Sequence, residues 1–223
     1  VQRLRAVLPS GEVLTAGVNT AKGVAGYDLC RLLTGSEGTL AVITEITLRL
    51  LPKPEQVKTM AVLFDRIEDA TQTVSGIMKE AIIPRCVEFM DKASIGLVKD
   101  YFGFDVPAPT QAILIIEVDG NRDVVRADLE KIRSFCTRHQ ASAIMVADTS
   151  AEAAELWKGR KALSPALFKI ASTKINEDIV VPIKEIPAMV HFLETLQQKT
   201  GLTVVSFGHA GDGNIHCNIM YDK

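Results

Sequence analysis

Two histidines near the end of the chain stand where they could hold a metal ion. The stretch reads Ser206-Phe207-Gly208-His209-Ala210-Gly211-Asp212-Gly213-Asn214-Ile215-His216-Cys217-Asn218, and it takes half of the chain's four histidines. An apolar run, Leu202 to Phe207, leads in, and Ile219-Met220-Tyr221 leads out. Asp-Gly between strand-like residues is a hairpin signal, because the tight turn that matches sheet twist needs positive φ. A turn at Asp212 and Gly213 pairs Gly211 with Asn214, Ala210 with Ile215 and His209 with His216. Directly opposed residues have β-carbons roughly 4.5–5.5 Å apart. Two imidazoles so placed can bind one divalent ion at about 2.0–2.1 Å. Asn218 falls on the same face and Cys217 on the other, so Cys217 is not counted as a ligand. The alternative is a surface hairpin that happens to carry two histidines.

Three further stretches could carry chemistry. Leu33-Thr34-Gly35-Ser36-Glu37-Gly38-Thr39-Leu40 combines glycines and hydroxyls in a loop whose backbone N–H groups can approach a phosphate or a flavin edge. It lacks the Gly-Lys-Ser/Thr of a P-loop, and a plain structural turn is the other reading. In Trp157-Lys158-Gly159-Arg160-Lys161-Ala162-Leu163-Ser164, Arg160 and Ser164 stand four apart on one helix face. A guanidinium fork suits a carboxylate and the hydroxyl can add a bond, against the alternative of a solvated basic face. In Lys174-Ile175-Asn176-Glu177-Asp178, the residues Lys174, Asn176 and Asp178 alternate onto one side of a strand, as a site wall or as an exposed strand end.

These residues must be positioned by ordinary folded elements. Of the 223 residues, 47% are hydrophobic and 23% charged, enough apolar material for a substantial core in one or two domains. A net charge of −2, from 25 basic and 27 acidic residues, gives no electrostatic case for nucleic acid. No apolar run reaches the roughly 18 residues of a membrane span, and the first residues do not form a signal peptide. Cys30, Cys86, Cys136 and Cys217 are widely spaced, which points to reduced thiols in an intracellular, cytoplasmic protein. Neither end looks like a natural terminus, so the chain reads as an internal fragment of something longer.

The periodicity predicts strands over 1–8 and 12–16 around Pro9-Ser10-Gly11, then a short helix over 29–33 capped by Asp28. A half-buried strand over 42–50 should bury Ile46, Leu48 and Leu50. Pro52-Lys53-Pro54 then marks a boundary between domains 1–54 and 55–223. Beyond it, strands at 57–64, 87–90, 112–118, 142–147 and 175–181 alternate with helices. The first helix carries Ile67, Ala70, Val74, Ile77, Met78 and Ala81, and the second runs over 92–101 behind an Asp91 cap. The third has Val125, Leu129, Ile132 and Cys136, the fourth spans 151–167, and Pro187 opens the last. Without a Rossmann glycine fingerprint, the expectation is an antiparallel or mixed sheet with helices packed against it.

Taken together, the motifs resemble one family. Gly26-Tyr27-Asp28-Leu29, Thr34-Gly35-Ser36-Glu37-Gly38-Thr39-Leu40 and Ile43-Thr44-Glu45 look like the second half of the flavin domain of the vanillyl-alcohol-oxidase-type FAD-linked oxidases. Arg160-Lys161, Glu177-Asp178-Ile179-Val180-Val181-Pro182 and the segment from His209 to His216 look like the substrate, or cap, domain of its D-2-hydroxy-acid branch. That branch holds D-lactate dehydrogenases, D-2-hydroxyglutarate dehydrogenases and the FAD subunit of glycolate oxidase. The resemblance implies an α+β fold: the end of a flavin-binding domain, then a cap domain with a mainly antiparallel sheet. It implies FAD against Gly26, Gly35, Ser36, Glu37, Gly38, Thr39, Val42 and Ile43, and a substrate carboxylate on Arg160 helped by Ser164. It also implies a divalent metal (zinc, manganese or iron) on His209 and His216, and Asn218 facing the substrate. The family's substrate lysine falls on Lys174 or, counted back from Pro182, on Asn176. Its third metal ligand, a glutamate, and the adjacent histidine base match nothing before Lys223, and its pyrophosphate-cradling glycines match nothing after Val1.

The implied reaction converts a D-2-hydroxy acid to the 2-oxo acid, with electrons passing to a quinone, a cytochrome, an electron-transfer flavoprotein or oxygen. A second copy of the chain is a further expected partner, and peripheral association with the inner membrane a further expected location. The alternatives are a metal-free flavin oxidase of another alcohol and a non-catalytic binding module that keeps the cap fold.

Overall fold

A computed structural model of the chain describes residues 1–80 and 82–222. It divides into two compact units, Val1–Lys53 and Pro54–Lys223. In the first, β1 (Arg3–Val7) lies between β2 (Val13–Gly17) and β3 (Val42–Thr47) in an antiparallel three-stranded sheet. The short helix α1 (Leu29–Leu33) starts where Asp28 accepts the Arg31 N–H, the expected cap. A small core forms from Leu4, Ala6, Ala16, Cys30, Leu33 and Ala41. The expected apolar face of β3 differs: Ile46, Leu48 and Leu50 are exposed. Within this unit one side of the sheet finds apolar partners in α1 and Ala41, and those three residues lie outside that core.

The second unit is a seven-stranded sheet in the order β7-β4-β6-β5-β9-β10-β8, every neighbouring pair antiparallel. Its strands are β4 (Gln56–Phe64), β5 (Cys86–Asp91), β6 (Ala112–Gly120), β7 (Ala141–Val146), β8 (Thr173–Val180), β9 (Thr203–His209) and β10 (Asn214–Tyr221). Helices α2 (Ile67–Ile77), α4 (Arg122–Arg138) and α6 (Ile186–Thr200) bury Val74, Ile132 and Val190 against one face. Helices α3 (Lys92–Val98) and α5 (Ser150–Ala166) bury Ile95 and Leu163 against the other. This is the α+β architecture with a mainly antiparallel sheet that the sequence led us to expect.

The central strand β6 is covered on both faces, so Ile113, Leu114, Ile115 and Ile116 are all buried, each contributing about 1.5–3 kcal/mol. That double burial is why Ala112–Ile116 is uniformly apolar rather than alternating. The α3 helix stops at Val98 and continues to Tyr101 as a 3-10 turn, shorter than expected. Ala81, placed by periodicity on α2, lies outside the described residues. Among the described residues no helix is long and apolar enough to cross a membrane.

Candidate functional site

The hairpin between β9 and β10 forms, but not in the expected register. His209 lies opposite Asn214, and His216 opposite Phe207. A two-residue turn of the expected type needs positive φ at both turn residues. Gly213 has it, φ +76°, and Asp212 does not. The chain instead reverses over Ala210–Gly213, where Asp212 N–H donates to the His209 carbonyl and Gly213 N–H to that of Ala210. Gly211 N–H is drawn away to the Val87 carbonyl on β5. A β-carbon on Gly213 would lie 2.1 Å from the Val181 carbonyl oxygen, so the close approach of this loop to β8 requires glycine. The register differs from expectation by two residues, which preserves the face. The imidazoles are therefore diagonal neighbours, with ring centroids 5.2 Å apart.

Each imidazole is held by a carboxylate from a neighbouring strand. On β5, Glu88 lies opposite His209 and its Oε1 is 2.5 Å from His209 Nδ1. On β8, Asp178 lies opposite His216 and its Oδ1 meets His216 Nδ1. An ionised carboxylate only accepts, so Nδ1 carries the proton in both rings, and of the two neutral tautomers this selects the one with its lone pair on Nε2. The hydrogen bond from His216 holds the Asp178 carboxyl below its usual range.

Arg160 reaches the same place from α5. Its Nε and Nη2 each donate to Glu88 Oε2 at 2.8 Å, and the guanidinium carbon sits 4.8 Å from the centre of the Phe207 ring. One turn earlier, Trp157 donates from Nε1 to Glu117 on β6 at 2.8 Å, which pins α5 against the sheet. Glu117 also accepts from Thr59 on β4, so the polar row continues across the face that α3 and α5 cover. Gly159 lets α5 lie close: a β-carbon there would sit 2.3 Å from the Phe102 ring.

The other expected residues distribute as follows. Asn218 is fully buried on the histidine face and donates to the carbonyls of Val205 and His216, while its Oδ1 has no partner among the described residues. Asn176 lies opposite Asn218 and Lys174 opposite Met220, so Lys174, Asn176 and Asp178 do share one side of β8. Lys174 Nζ lies over the Phe168 ring at 5.7 Å. Ser164 is exposed one turn beyond Arg160. On the opposite side of β10, Cys217 is buried in the core and its thiol is pushed up by burial.

In the first unit, Gly35 and Gly38 take φ of +85° and +77°, and Glu37 takes +51°. Ser36 and Thr39 N–H donate within the loop, to Leu33 and Ser36. The N–H groups of Gly35, Glu37 and Gly38 have no protein acceptor among the described residues. Gly26, Gly35 and Gly38 have open space where a side chain would stand. Such a loop fits an acceptor-rich group such as a flavin.

Sequence reasoning missed Glu88, Asp178 as a partner of His216, and the Trp157–Glu117 bond. A lone glutamate in the apolar strand Val87-Glu88-Phe89-Met90 was the available signal, since carboxylates are almost never buried unless paired. Among the described residues no set of three or more His, Cys, Asp and Glu is gathered as a metal site. The imidazole pair nevertheless fits a partial ligand set, because ligating histidines characteristically give their other N–H to a carboxylate.

Comparison with known proteins bears on this arrangement. Residues 53–223 match the family of FAD linked oxidases, C-terminal domain. Over 96% of its length the chain is 41% identical to the glycolate oxidase subunit GlcD of Bacillus subtilis, covering 45% of that protein. It is 33% identical to a D-lactate dehydrogenase of Anaerostipes hadrus over 97% of the chain and 47% of the relative. The chain thus spans about half the length of the curated relatives it matches. A solved p-cresol methylhydroxylase shares the fold with a TM-score of 0.74 and 16% identity, over 99% of this chain and 51% of that one.

Proposed function

This chain belongs to the FAD-linked oxidases, and on that footing we propose that it serves the flavin-dependent oxidation of a D-2-hydroxy acid to the 2-oxo acid. The substrate is of the lactate, glycolate or 2-hydroxyglutarate type. The observation that carries this reading is the convergence of Arg160 and His209 on Glu88, with the His216 ring 5.2 Å from that of His209 on the same face of the sheet. Relatives named as a glycolate oxidase subunit and as D-lactate dehydrogenases support the substrate class.

The reaction removes two electrons and two protons from the substrate, and bound FAD supplies the electron acceptor. Residues 1–53 form the end of the FAD-binding domain, with the free N–H groups of the loop from Gly35 to Thr39 and the adjoining Val42 and Ile43 against the cofactor. Residues 54–223 form the substrate domain. Arg160 spends its Nε edge on Glu88, which leaves Nη1 for the substrate carboxylate, and Phe207 beneath the guanidinium fixes its plane. In this reading Ser164 and Lys174 also bind the substrate, and Asn218, whose Oδ1 has no partner among the described residues, faces it. His209 and His216 would be the residues to hold a divalent cation, which would supply a Lewis acid for the 2-hydroxyl. Electrons then leave to a protein or quinone acceptor.

Full-length protein loaded with FAD tests this by steady-state oxidation of glycolate, D-lactate and D-2-hydroxyglutarate with a dye acceptor. At least one acid should turn over. Because an anchor that also fixes the reacting geometry affects both constants, Arg160→Ala should raise KM and lower kcat. Unchanged constants in that variant would remove Arg160 from the site.

A further inference from the structure

We propose that Glu88 is the positioning residue of this site: it sets the tautomer of His209 and the pose of Arg160 at once. The inference rests on the reading of the site just given. Glu88 stands mid-strand between Val87 and Phe89, and its side chain is 6% exposed. A carboxylate in such a place is tolerated only when its oxygens are bonded and its charge is paired. Oε2 is spent on Arg160, which balances the charge. That ion pair alone would suffice for a structural role, yet Oε1 is turned to His209 Nδ1.

Three separate elements meet in this one group: β5 gives Glu88, α5 gives Arg160 and β9 gives His209. Glu88 has no proton to give, so it forces the Nδ1–H tautomer and leaves His209 Nε2 as a free lone pair. The guanidinium on its other oxygen keeps the carboxylate from swinging away. Substrate anchor and ion ligand are thereby fixed relative to one another by a group that itself touches neither ligand.

The test uses full-length flavoenzyme with ring-15N-labelled histidine, stripped of metal by chelation, and its Glu88→Gln variant. Glutamine keeps an oxygen for Arg160 but turns an NH2 toward Nδ1, which favours the Nε2–H tautomer. We expect His209 to show Nδ1–H in the wild type and Nε2–H in Glu88→Gln. Affinity for added Mn²⁺ or Zn²⁺ should fall about 10–100-fold, the usual effect of losing such an outer partner. A role confined to folding would lower the unfolding midpoint and leave the tautomer in place, and that result overturns the proposal. So does an Nε2–H tautomer in the wild type, which is readable even where the variant fails to fold. A wild type that shows Nδ1–H but binds neither ion upholds the part given to Glu88 and sinks the reading of the site on which it was built.

Discussion

The two histidine–carboxylate pairs are alike in chemistry and opposite in setting. Glu88 and His209 sit on neighbouring strands inside the sheet, with the Glu88 side chain 6% exposed and Arg160 closing the far side. Asp178 and His216 sit at the sheet edge, on β8 and β10, with the Asp178 side chain 57% exposed. Water can replace Asp178, whereas among the described residues Glu88 is compensated by Arg160 and His209 alone. The interior pair should therefore control both stability and geometry, and the edge pair geometry alone.

The largest expected break in that contrast is Arg160→Ala. It leaves Glu88 as a buried carboxylate without its cation, which costs about 3–5 kcal/mol in chemical denaturation. Asp178→Asn, by contrast, should leave the denaturation midpoint where it is, since surface pairs contribute little. Equal losses in the two variants would erase the distinction.

Next in size is the loop that joins the two histidines. Gly213→Ala combines a positive φ with a contact of 2.1 Å to the Val181 carbonyl, and should destabilise by more than about 2 kcal/mol. Gly35→Ala has a similar φ but open space, so about 1–2 kcal/mol is expected from the backbone alone. Comparing their unfolding midpoints separates the steric contribution from the conformational one.

A smaller effect reports on the interior pair from beside it. Cys86, two residues before Glu88, has its thiol pushed up to about 12 by burial and then by the charges of Glu117 and Glu88. At pH 8 roughly one such thiol in ten thousand is ionised, so native protein should resist alkylation at Cys86. Rapid labelling there would show the interior pair to be wetter than the structure has it. At the edge, the Ser172 N–H holds the Asp222 carboxyl below its usual range. A depressed folded-state value means stability present above the unfolded pKa and lost as pH falls through the folded one. Asp222→Asn should therefore be slightly less stable at pH 7 and show a flatter decline below about pH 4, where the two proteins converge.

Much of this was legible in the sequence because local rules held. Asp28 and Asp91 cap α1 and α3 as their positions before apolar runs suggest, each accepting a backbone N–H three residues on. The period-two face of β8 put Lys174, Asn176 and Asp178 together, and β10 confirms it pair by pair. The same-face placement of His209 and His216 survived a wrong turn type because a two-residue register change keeps parity. What stayed hidden was set by distant segments. The turn is redirected by Val87 and Val181, far away in sequence, and Asp212-Gly213 alone gives no hint of them. Glu88 meets Arg160 only because β5 and α5 share one side of the sheet, a fact of topology rather than of pattern. Burial of Ile46, Leu48 and Leu50 was expected from alternation, which marks a face but not what covers it.

In the proposed site His209 and His216 serve one ion between them. Metal analysis of the purified full-length flavoprotein tests it most directly, alongside the His209→Ala and His216→Ala variants with FAD content as the control for folding. Close to one divalent ion per chain is expected in the wild type, with its loss from both variants while FAD is retained. A wild-type protein without a stoichiometric divalent ion, or variants that keep it, would remove the two histidines as its ligands.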